Sequence, residues 1–122
     1  AGFVIWDMPR FVLVDECPSG RRIVIHFRFT DAPEGERRWW LVVDEGGANL
    51  CRDDPGEDVT LIVESSVLAL TEIWTGDRDA QEMVRQRKLR VIGPARDARD
   101  LWRWLGRSAF AQTREAALAD SR

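Results

Sequence analysis

One histidine, two cysteines and a loop crowded with carboxylates are the side chains of this sequence that could do chemistry. His26 lies in I-V-I-H-F-R-F, where Ile23, Ile25, Phe27 and Phe29 point one way and His26 points the other. This spacing puts it on the strand face turned away from the core, a surface or rim position rather than that of a general base. Ser108 sits in G-R-S-A-F, which lacks the second glycine of the strand-to-helix elbow that raises a nucleophilic serine. Asp53, Asp54, Glu57 and Asp58 do not have the spacing of an EF-hand loop and read as a solvated acidic turn. Cys17 and Cys51 lack metal-ligand spacing and read as two free, partly buried thiols. No glycine-rich phosphate loop is present. The expectation is a chain with no catalytic residue, no bound metal and no cofactor.

The stronger signal is aromatic. Six tryptophans and five phenylalanines occur with no tyrosine. Wide, flat side chains around a single sheet can wall a cavity as well as fill a core, so most of these rings are expected in ordinary packing and the rest along a ligand pocket.

The elements that would position such a pocket follow from periodicity. Arg21 to Thr30 alternates as a strand with one apolar face. Arg38 to Asp44 is apolar on both faces, Trp39, Leu41 and Val43 opposite Trp40 and Val42, and is expected to be central and covered on both sides. Ala48 to Arg52 is a shorter strand, and Val59 to Glu64 alternates again. Four antiparallel strands are therefore expected before the first helix. Ser65 and Ser66 can cap that helix, whose buried stripe is Val67, Leu70 and Trp74 and whose end is Gly76. Asp77 opens a second helix with Ala80, Met83 and Val84 inward, Leu89 to Ile92 is the last strand, and a third helix carries Ala98, Leu101, Trp102 and Leu105 at i, i+3, i+4, i+7. On that stripe Trp102 is buried and Trp104 lies nearer the surface. The fold class is α+β, a mostly antiparallel sheet of about five strands with helices on one face.

In their order and spacing, V-T-L-I-V-E-S-S-V-L-A-L-T-E-I-W-T-G, R-K-L-R-V-I-G and L-W-R-W-L resemble the sterol-carrier-protein type of lipid-binding domain. With R-R-W-W-L-V-V, C-R-D-D-P-G and L-G-R-S-A-F-A, the chain is most similar to the version behind the winged helix of HxlR-type bacterial transcription regulators, over residues 23–111. The resemblance implies a non-enzymatic module holding an apolar or amphipathic molecule between sheet and helices, lined by Phe27, Leu61, Val63, Val91, Trp74, Met83 and Trp102. It also implies that such a module serves as the sensor of a regulator. One departure stands out: the family usually has glycine where this chain has Arg87. A side chain in a left-handed position costs about 1 kcal/mol, so that helix end is expected to be remodelled.

At 122 residues the sequence suits one domain. Residues 1–20 read as a packed connector with a helical start, 21–112 as the ligand-binding domain and 113–122 as a tail after a last core anchor at Phe110. Residues 1–60 carry a net charge of −5 and residues 61–122 of +2, which disfavours direct contact with nucleic acid. No apolar run reaches the roughly 20 residues of a membrane span and no secretory leader is recognisable, so a cytoplasmic location is expected. Two other readings compete: a stand-alone lipid carrier, and an interaction module whose apolar Phe3–Val14 segment pairs two copies as a homodimer without a ligand.

Overall fold

The structure is a computed structural model that describes residues 8–17, 20–74 and 79–106. Strands β1 (Ile23–Phe29), β2 (Arg38–Asp44), β3 (Gly47–Cys51), β4 (Leu61–Ser65) and β5 (Leu89–Ile92) form one sheet in the order β3-β2-β1-β4-β5. Helices α1 (Val67–Trp74) and α2 (Ala80–Arg85) connect β4 to β5, and α3 (Ala95–Leu105) follows. The α+β class with a five-stranded, mostly antiparallel sheet is therefore present. Expected residues at Phe3–Trp6, Gly76, Asp77, Ser108, Phe110 and 113–122 lie outside the described residues.

Register explains the core. Phe27 faces Trp39 on β2 and Val63 on β4, Ile25 faces Leu41 and Leu61, and Val63 faces Val91. These side chains share one face because alternation has period 2. On that face they meet Leu70 and Ile73 of α1, Met83 of α2, Leu101, Trp104 and Leu105 of α3, and Met8 of the N-terminal 3-10 turn Met8–Phe11. The connector is tied to α3, since the Leu13 N–H donates to the Trp104 carbonyl at 2.8 Å.

The sheet corrects one expectation of sequence. β4 is not a fourth antiparallel strand beside β3; it runs parallel to β1, with Ile25 opposite Leu61 and Phe29 opposite Ser65. A parallel neighbour needs a crossover. Residues 52–60, read from sequence as a solvated turn, supply it by crossing the sheet face opposite the helices. Asp53 and Asp54 line a concavity with Trp40 of that face, Glu57 pairs with Arg22, and the Thr60 N–H donates to the Val24 carbonyl at 2.7 Å. Val59 is consequently 40% exposed, and the strand begins at Leu61 instead.

Helix ends follow local chemistry. The Ser66 hydroxyl accepts from the Ala69 N–H at 3.0 Å, and the Asp31 carboxylate accepts from the Val67 N–H at 2.9 Å. Asp79 is the N-cap of α2, accepting from the N–H groups of Gln81 and Glu82. Of the expected inner face of α2, Met83 is buried, Ala80 is half-buried and Val84 is 44% exposed. Arg87 has φ 61, the one left-handed residue other than glycine among the described residues. Its helix end is not remodelled: the Arg87 N–H donates to the Val84 carbonyl and the Lys88 N–H to the Met83 carbonyl, the two bonds of a left-handed helix closure that glycine would make at less cost. Gly93, by contrast, tolerates no side chain, because a Cβ there would lie 2.6 Å from Leu61 Cδ2 and 2.8 Å from the Thr60 carbonyl.

Candidate functional site

The expected pocket residues do not converge on one place. Phe27, Leu61 and Val63 are at most 1% exposed and belong to the core under the helices. Met83 and Val91 line a cleft of about 940 Å³ between α1, α2 and the β4–β5 edge. Trp74 and Trp102 line a second, of about 550 Å³, between α3 and the ends of α1 and α2.

Trp74 is buried as expected, 6% exposed. Trp102 is not; it is half-buried, whereas Trp104, placed nearer the surface by the sequence pattern, is only 2% exposed. Both stripes share Leu101 and Leu105, so the apolar residues alone do not choose between them. The inward stripe found begins at Asp97, which is 7% exposed with Arg21 donating to it at 3.1 Å, and continues through Leu101, Trp104 and Leu105. That partner lies in another part of the chain, beyond the reach of a periodicity argument.

The larger cleft has the mixed chemistry of an amphiphile site. Its apolar wall includes Ala69, Met83, Leu89 and Val91. Leu68 and Val84, 64% and 44% exposed, stand at its mouth. Arg87, Lys88 and Glu72 add charge, while Glu64 and Arg90, cross-strand partners that alternate onto the opposite sheet face, border it at the sheet edge. Ser65 is 3% exposed, and its Oγ has no hydrogen-bond partner among the described residues. Sequence reasoning sought an apolar lining and passed over these polar residues. A signal was available in Arg87, which stands where the resembling family has glycine and which lines this cleft.

The opposite sheet face holds the second set of groups with potential chemistry. His26, expected on a surface or rim, is only 6% exposed. Its ring stacks on Trp40 with centroids 4.4 Å apart and planes 13° apart. The Trp39 carbonyl lies 3.1 Å from Nδ1; a carbonyl can only accept, so Nδ1 carries the proton. Burial is the main cause that pushes the His26 pKa below its ordinary value of 6.5, with Arg28 and Arg38 adding to the effect and the Trp39 hydrogen bond and Asp54 opposing it. The histidine is therefore a packed, neutral ring. Cys17 and Cys51 are free and half-buried; burial pushes the Cys17 thiol up, and its Sγ donates to the Leu13 carbonyl at 3.5 Å. Among the described residues no group of three or more His, Cys, Asp or Glu side chains is placed to hold a metal ion. Nor is any helix of the described residues long and apolar enough to cross a membrane.

No family model matches the sequence, and no curated protein matches it. Solved structures do resemble it in backbone. A double mutant of the sec-alkyl sulfatase PisA1, the enzyme from Pseudomonas sp., superposes over 88% of this chain and 16% of its own, with 14% identity and a TM-score of 0.69. UbiJ-SCP2, a ubiquinone synthesis protein, matches over 68% of this chain and 64% of its own, at 13% identity and a TM-score of 0.54. The sterol carrier protein domain 2 of Helicoverpa armigera matches over 76% and 72%, at 18% identity and a TM-score of 0.52. At these identities the likeness is one of fold: the chain has a sterol-carrier-protein-like fold and spans a small part of the sulfatase's length.

Proposed function

We propose that this chain is a non-enzymatic module that binds an apolar or amphipathic small molecule in the cleft between α1, α2 and the β4–β5 edge. The observation that carries the reading is the cleft itself: about 940 Å³, walled by Met83, Leu89 and Val91, with Leu68 left 64% exposed at its mouth. A pocket of this size with an apolar wall and a few polar groups suits a ligand of drug or lipid size. The names of the fold neighbours, a sterol carrier protein domain and a sec-alkyl sulfatase, belong to proteins that handle molecules with large apolar parts. In the finer reading, the module is the ligand-sensing domain of a bacterial transcription regulator, acting in the cytoplasm without touching DNA itself. The sequence resemblance to HxlR-type regulators and the net charges of its two halves support that reading. Native mass spectrometry of the purified chain tests the binding. A co-purified apolar molecule, or uptake of added dodecanol at one per chain, is the expected result; an empty dimer that takes up neither overturns it and favours the interaction module.

A further inference from the structure

We propose that the sheet face turned away from the helices pairs two copies of this chain about a two-fold axis, the connection 52–60 of each covering the exposed β4–β5 half of the other. Two cross-strand rows over β2, β1, β4 and β5 define that face. One runs Trp40, His26, Ile62, Ile92, and the next runs Arg38, Arg28, Glu64, Arg90. Cover falls along the first row: Trp40 and His26 are 9% and 6% exposed, whereas Ile62 is half-buried and Ile92 is 37% exposed. Charge changes in the same direction. Asp53 and Asp54 share a concavity with Arg38 and Trp40 at the β2 end, while the exposed Arg28 and Arg90 flank one carboxylate, Glu64, toward the other end. Among the described residues Arg28, Arg38 and Arg90 make no ion pair. Arg28 and Arg38 also sit directly opposite each other, an unfavourable juxtaposition that further carboxylates would relieve.

A face that is covered and acidic at one end, open and basic at the other, is complementary to itself turned over. Strand order sets the match. A two-fold axis parallel to the strands at the β1–β4 boundary lays β2 of one copy over β5 of the other and β1 over β4, with the two sheets packed in alignment. Arg28 then meets Glu64 of the second copy, Trp40 meets its Ile92, and Asp53 and Asp54 meet its Arg90. Arg38 faces that same arginine with the two carboxylates beside it. The ligand cleft, between α1, α2 and the sheet edge, takes no part.

Sedimentation equilibrium of the full chain, from about 1 to about 500 µM, tests the pairing. Half a sheet face is a small interface, so a dimer with Kd on the order of 10 µM is expected at low salt, weakening about tenfold as ionic strength rises from about 50 to about 500 mM. Arg90→Glu should weaken it about tenfold, because a contact of modest strength is lost twice in a two-fold dimer. Adding Asp53→Arg to that variant should recover most of the loss, since opposite charges again face each other across both contacts. Arg96→Glu, an equal change of net charge at an exposed position of α3, should leave the dimer unmoved. A chain that is monomeric throughout the range overturns the proposal and leaves the face to another partner or to solvent. So does a dimer that Arg90→Glu does not weaken or that the double variant does not restore. Ligand uptake is a separate readout: its absence removes the binding reading while a salt-sensitive dimer stands.

Discussion

The two faces of this sheet are buried by different means. On one, Ile25, Phe27, Leu41, Leu61 and Val63 lie under three helices, and none exceeds 1% exposure. On the other, Val24, His26, Trp40 and Val42 are also buried, 1% to 9% exposed, and among the described residues the segment that reaches this face, beside Trp40, is the connection 52–60, which has no regular structure. Where that connection leaves the sheet, cover ends: on the same cross-strand row as His26, Ile62 is half-buried and Ile92 is 37% exposed. Helices bury apolar rows through many interlocking side chains, whereas a strap buries them through a few contacts at its ends. The first face is expected to carry the stability and the second to adjust.

Truncation gives the largest test of that difference. Phe27→Ala should destabilise by about 3–5 kcal/mol, since close-packed neighbours on both β strands and helices cannot collapse into the space. Trp40→Ala, despite removing a larger ring, should cost about 2 kcal/mol because the strap can settle toward the sheet. Equal losses in urea unfolding would show that the two faces are equally rigid.

Acid sharpens the contrast at a smaller scale. His26 has a folded-state pKa below its ordinary 6.5, so between those two values the unfolded chain binds more protons. Stability is then fully present above about pH 6.5 and is lost as pH falls through the folded value. A urea-midpoint profile from pH 8 to pH 4 should therefore fall more steeply for the natural chain than for His26→Gln. The steeper fall disappears if the ring is already solvated beneath the strap.

The smallest effect belongs to the strap's fastening. Arg22 reaches both Glu57 and Asp44, but its side chain is 55% exposed, so Glu57→Gln should cost less than about 1 kcal/mol. It should nonetheless speed hydrogen exchange of the Val24 amide, which donates to the Thr60 hydroxyl at 3.1 Å, and leave exchange in β2 unchanged. Equal acceleration in both strands would mean that the strap does not open as a local unit.

Much of the helix-covered face was legible in the sequence because it depends on local period. The alternation of Ile23, Ile25, Phe27 and Phe29 fixed which side chains of β1 meet the core, the bounds of β2 and β5 were read as they are found, and the left-handed position at Arg87 was implied by the family resemblance, which has glycine there. The strap-covered face was not legible. Nothing in the spacing of Asp53 to Asp58 states that β4 pairs with β1 rather than β3, and without that pairing His26 reads as a rim residue. The same limit misplaced Trp102 and Trp104, since the polar Asp97 shares the inward face of α3, where it meets Arg21 from a distant part of the chain. Of the candidate cleft, Met83 and Val91 were named, and the polar lining from Ser65, Arg87 and Lys88 was missed because apolar lining alone was sought.

The parallel pairing of β1 with β4 also sets an order of assembly. The β1–β2–β3 meander closes through short loops, whereas Ile25 meets Leu61 only after 36 residues of chain are drawn together, as the same interval between Val24 and Thr60 indicates. Contacts of that separation form late. During the interval the outer edge of β1 carries unpaired backbone groups beside Phe27 and Ile25, a template for the wrong strand of another molecule. Refolding yield should therefore fall with protein concentration. Pulse-labelled hydrogen exchange should find the β1–β2 amides protected before those of β4, and simultaneous protection of all three strands would refute this order.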